Sequence, residues 1–119
     1  MSHYKPYPKY KDSGVKWLGR VPEHWEVKRL RFVALIQNSN VDKKSYENQQ
    51  NIALCNYTDV YYNERITPSL EFMPSTASKK NKEKFTLLAG DVIITKDSEE
   101  ADDIGIPAYV PQELPGVVC

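Results

Sequence analysis

Apolar residues in this chain come only in short runs, and this limits the elements it can build. The longest clear run, "FVALI" at residues 32–36, has five residues. A membrane-spanning helix needs about 20, so no span is expected. Prolines cut the pattern further. Pro68 and Pro74 leave room only for short strands in "YYNERITPSLEFMPS". What remains is a series of brief β-type runs with one or two short helical stretches. The fold class this implies is α+β, a small mixed or antiparallel sheet with short helices. A length of 119 residues allows one domain at most.

Residues 1–13 alternate Lys, Tyr and Pro and are expected as an extended arm, since Pro6 and Pro8 favour an open backbone. Gly14 and Gly19 bracket a turn, and Pro22 begins another. Trp17, Leu18 and Trp25 are expected as buried anchors of this irregular segment. "WEVKRL" alternates and suggests a short strand. From Leu30 the spacing Leu30, Val33, Ala34, Gln37 is helical and suggests a two-turn helix, with one continuous helix from Pro22 as the alternative. "QNSNVDKKSYENQQN" is a polar loop. A strand is expected over residues 51–57. Ser75 or Thr76 is the expected cap of a helix over "ASKKNKEKF". Gly90 and Asp91 turn the chain into "DVIITK", the clearest strand, with "IPAYVP" and "GVVC" as two more.

Charge counts slightly against one simple function. The net charge is zero, but residues 1–31 carry net +5 and residues 32–119 net −5. A domain that coats nucleic acid by phosphate attraction alone is more basic than this. A reader with local basic patches remains compatible. Two cysteines, Cys55 and Cys119, make no disulfide framework, and His3 and His24 stand apart, so no metal site is expected. The N-terminus lacks the apolar core of a signal peptide, and the chain reads as cytoplasmic.

Four groups of residues carry candidate chemistry. Lys96, Asp97 and Ser98 end the clearest strand and present hydrogen-bond donors and acceptors suited to base edges. Lys79, Lys80, Lys82 and Lys84 place four cations in six residues, a pattern that tracks phosphates. Lys43 and Lys44 are secondary phosphate candidates. Tyr57, Tyr61 and Tyr62 are placed to reach a groove, although Tyr57 suits a core equally well. The acidic run Asp97, Glu99, Glu100, Asp102, Asp103 repels phosphate at close range. It also lacks the order of an EF-hand loop. Asp42-Lys43-Lys44 matches the D-x-K half of a nuclease metal motif, but no strand supplies the companion carboxylate. No nucleophile elbow, phosphate loop or dinucleotide fingerprint is present. No catalytic residue and no cofactor is expected.

Several stretches together resemble a known family. "YKDSGVKWLGRVPEHWEVKRLR" at residues 10–31 closely resembles the opening of the specificity (S) subunit of type I restriction–modification systems. The pattern GVxWLGxxPxHWxVxRL is long and has few rivals. "KFTLLAGDVIITKDSEEADDIGIPAYVPQELPGVVC" at residues 84–119 resembles the middle of that subunit's first target recognition domain, and "NIALCNYTDVYYNERI" fits more loosely. The two main matches cover roughly half the chain. The resemblance implies a non-catalytic reader of double-stranded DNA. Its partners would be a methyltransferase subunit, which modifies adenine, and a restriction or motor subunit, which translocates and cuts. It also implies that residues 14–119 hold about the first two-thirds of one recognition domain. The alternative expectation is an interaction fragment that binds the methyltransferase subunit without reading DNA.

Overall fold

The strand that organises most of the chain is "QNIAL", because its side chains alternate between two apolar layers. The computed structural model describes residues 3–41 and 43–119. They fall into two units, Met1–Gln37 and Asn38–Cys119.

In the first unit β1 (Tyr10–Asp12) pairs antiparallel with β2 (Arg20–Pro22), Lys11 opposite Val21. The expected arm therefore ends in a paired strand. The turn between them needs glycine: Gly14 and Gly19 hold φ of 76° and 68°, a region costly to residues with a Cβ. Asp12 Oδ1 accepts from the Gly14 amide at 2.9 Å, and the Ser13 amide donates to the Gly19 carbonyl at 2.9 Å. Val21 and Pro22 are buried. The tryptophans are not anchors of a core. Trp17 is 85% exposed, and Leu18 and Trp25 are exposed too. Trp25 instead joins a surface cluster, with its ring centroid 5.8 Å from that of Tyr7, while Tyr7 lies 5.1 Å from His24. Aromatic edges hold this segment where a core was expected to do so.

The expected strand at residues 25–28 does not form, and the expected helix shrinks to one 3-10 turn at Leu30–Phe32. Arg29 precedes that turn and makes no side-chain cap, and no acidic residue sits in its first turn. Leu30, Phe32, Val33, Leu35 and Ile36 are all exposed. A short helix depends on burying its apolar face, and without that gain the cost of nucleation prevails.

In the second unit β3 (Gln50–Leu54) is central. It pairs antiparallel with β4 (Met73–Ala77) and parallel with β7 (Val117–Val118). The sheet is mixed, and the α+β class expected from the sequence holds. Ala53 and Val117 face a layer containing Cys55, Val60, Ile66, Leu87, Val110 and Leu114. Ile52, Leu54, Ala77 and Val118 face the other layer, with Val41, Met73 and Phe85. This is the two-residue period of a strand buried on both sides. α1 (Tyr57–Tyr62) covers the first layer through Val60, together with the hairpin of β5 (Val92–Ile94) and β6 (Pro107–Tyr109). α2 (Lys79–Phe85) covers the second layer through Phe85. The two helices thus lie on opposite faces of the sheet.

Local chemistry explains the shifted boundaries. The expected strand over residues 51–57 stops at Leu54, because Asp59 turns back on Asn56 and its Oδ2 accepts from the Asn56 amide at 2.8 Å. That pairing starts a helix, so Tyr57 is helical. Ser75 and Thr76 belong to β4, and the cap of α2 is Ser78, whose Oγ accepts from the Asn81 amide at 3.2 Å. Pro74 is tolerated because β4 is an edge strand. No helix among the described residues is long and apolar enough to cross a membrane.

Candidate nucleic-acid interface

The sequence candidates separate onto two surfaces. On the first, β5 and α1 bring Lys96 and Asp97 beside Tyr57 around a cleft of about 360 Å³. Ile93 and Val60 contribute to its apolar lining, and both cysteines line it. Lys96 Nζ lies 3.7 Å from Asp97 Oδ2, an exposed pair worth little to stability. Tyr57 stacks on Tyr61 at 5.7 Å, and Tyr62 meets Tyr61 edge-on at 4.9 Å. The Tyr61 hydroxyl donates to Asp103 Oδ1 at 2.9 Å, and this bond, with the carboxylate charge, raises the Tyr61 pKa. Ser98 is turned inward to its own loop, its Oγ accepting from the Glu100 amide at 3.3 Å.

Buried Thr95 pins that acidic loop. Its hydroxyl donates to the Asp103 carbonyl at 2.6 Å and accepts from the Ile106 amide at 3.0 Å. The far end of the loop is thereby tied back to the end of β5, next to Lys96 in the chain. Five negative charges in seven residues give this surface a potential that opposes phosphate.

The two thiols in the cleft are poor nucleophiles. Burial pushes Cys55 up to about 12, with smaller contributions from Cys119 and Asp59. Burial, and then Asp91, also raises Cys119. A thiol held protonated is a weak attacking group. Among the described residues no group of three or more His, Cys, Asp and Glu side chains is placed to hold a metal ion. Asp42 lies outside the described residues.

The second surface is basic. α2 presents exposed Lys79, Lys80 and Lys84, with Lys82 half-buried. Lys82 Nζ lies 3.4 Å from the Asn51 carbonyl, and Lys84 sits 5.2 Å from the Phe85 ring centroid. Lys79 and Lys80 follow the Ser78 cap directly. The loop that carries exposed Lys43 and Lys44 runs to the same edge of the sheet. It supplies Asn40, Val41 and Tyr46 to a second cleft, of about 280 Å³, which Gln49, Thr76 and Asn81 complete. The α2 lysines thus share a surface with this cleft and not with Lys96 and Asp97.

This second cleft escaped the sequence reading. Asn40 and Gln49 lie in what reads as a featureless polar loop while Asn81 lies in α2, and the pairing of β3 with β4 carries Gln49 to Thr76. The one signal in the sequence was the density of Asn and Gln between residues 37 and 51.

No protein-family model, no curated protein and no solved structure matches this chain.

Proposed function

We propose that this chain is a DNA-recognition module, a part of the specificity subunit of a type I restriction–modification complex. In that role it directs partner methyltransferase and motor subunits and performs no chemistry itself. The observation that carries the reading is α2: four lysines in six residues, displayed on a capped helix seated against a sheet. A rigid support lets such cations meet phosphates at fixed spacing. The resemblance of residues 10–31 and 84–119 to the family supplies the biological setting. Because α1 and α2 lie on opposite faces, one short duplex meets one of them, and the charge favours α2. Lys79 and Lys80, with Lys43 and Lys44, then make the phosphate contacts. The Lys96 and Asp97 cleft, with its acidic loop, turns away from the backbone.

Titration of a fluorescent duplex at low salt tests this. Binding should weaken linearly on a log–log salt scale, with a slope of about −0.9 per phosphate contact. A folded sample that binds no duplex at low salt removes the reading.

The exposed apolar residues of the first unit favour a second reading. Leu30, Phe32, Val33, Leu35 and Ile36 form a contiguous exposed stretch, which suits docking on a protein partner. Under that reading the chain binds the methyltransferase subunit without DNA, and co-purification of the two from nuclease-treated extract would establish it.

A further inference from the structure

We infer that the polar cleft at the β4 edge receives a single unstacked nucleobase, which α2 holds in place through the flanking phosphates. This deepens the DNA-binding reading and rests on it. The shape comes first. Bases inside a duplex offer only their edges, and edges are read by protruding elements. A concave site of about 280 Å³ instead takes a group that can leave the stack and enter.

The lining matches such a group. Tyr46 is 46% exposed and borders the cleft, offering a ring face to stack on. Polar atoms around it are ordered by their own bonds. The Tyr46 amide donates to Thr76 Oγ1 at 2.8 Å, and that hydroxyl donates to Gln49 Oε1 at 2.9 Å. With Gln49 Oε1 accepting from Thr76, its NH2 group is the part of that side chain that can donate to a ligand acceptor. Asn81 also lines the cleft, and its side-chain amide carries both a donor and an acceptor. Amides of this kind complement the hydrogen-bonding edge of a base. Lys79 and Lys80 are exposed and directly follow Ser78, which lines the cleft, so they are within a residue or two of where the phosphates flanking an extruded nucleotide would pass. The other cleft also carries a tyrosine and an amide, Tyr57 and Asn56, but its lining includes Asp97 and it adjoins the acidic run, a charge that opposes the phosphates of a nucleotide.

The test compares the full chain bound to a fully paired duplex and to the same duplex carrying one bulged 2-aminopurine. The bulged duplex should bind roughly fivefold to a hundredfold more tightly, the range one base–aromatic stack supplies, and its fluorescence should change on binding. Tyr46→Ala should erase that preference and Tyr46→Phe should keep it. Asn81→Ala serves as a second variant, with circular dichroism confirming that each is folded. Equal affinity for the two duplexes overturns the inference and leaves duplex recognition standing. A preference that survives both Tyr46→Ala and Asn81→Ala also overturns it. Binding of neither duplex overturns duplex recognition and the base site together. Binding of the bulged duplex alone supports the base site and removes duplex recognition.

Discussion

Cys55 shows how one position records its surroundings. Its side chain lies under α1 at the end of β3, and burial holds the thiol protonated up to about pH 12. From about pH 9 the unfolded chain releases this proton while the folded chain retains it. Stability therefore falls as pH rises through that window, by up to about 1.4 kcal/mol per pH unit. Replacing Cys55 by Ala should flatten the dependence, and urea midpoints between pH 8 and 11 would measure it. An unchanged slope would mean that burial does not control this thiol. Trp17 gives the opposite case. A ring 85% exposed contributes little, so Trp17→Ala should alter unfolding free energy by less than about 0.5 kcal/mol in the same assay. Residue type alone pointed to burial, since tryptophan usually fastens a core. What overrides that preference is whether anything packs on the ring, and neighbours are not visible in one residue's identity.

Among the elements, legibility followed the completeness of the local signal. "GDVIITK" and "IPAYVP" announced β5 and β6, because β-branched runs bounded by turn residues have few other uses. α2 was visible as a helix, but its cap was placed too early. Ser75, Thr76 and Ser78 are chemically similar, and β3 claims the first two for its ladder. Ser78→Ala should cost about 1 kcal/mol, the usual value of an N-cap bond, whereas a cap at Thr76 would make it nearly neutral. Thermal unfolding distinguishes the two. Residues 30–36 failed in the other direction. They carry a helical period, yet they form one 3-10 turn, since periodicity states only which face would be buried. If a partner covers that face, helix content should rise when it binds, and circular dichroism of the complex against its separate parts would detect the gain.

Across the whole second unit, stability rests on two apolar layers divided by three strands. Ile66 is fully buried in the first layer, and its amide donates to the Tyr109 carbonyl at 2.9 Å. Ile66→Ala should lose about 2–5 kcal/mol, a large fraction of what a domain this size holds. Chemical denaturation reads this directly, and a loss under 1 kcal/mol would contradict the layered core. Charge reversal belongs to the same scale. Lys79→Glu with Lys80→Glu should weaken duplex binding at low salt and flatten the salt dependence by about one unit per lost phosphate contact. The pair Lys96→Glu and Lys43→Ala separates the two surfaces, because only the second should lower the slope. The α+β class, the strands β5 and β6, the helical character of α2, the lysine-rich stretch and the acidic loop were legible in the sequence, since all of these follow from residues close together in the chain. The tertiary structure alone decided that α1 and α2 take opposite faces, that the lysines stand apart from Lys96 and Asp97, and that Tyr46, Gln49, Thr76 and Asn81 share a cleft. Those outcomes depend on strand order and register, which are set by contacts between residues distant in sequence.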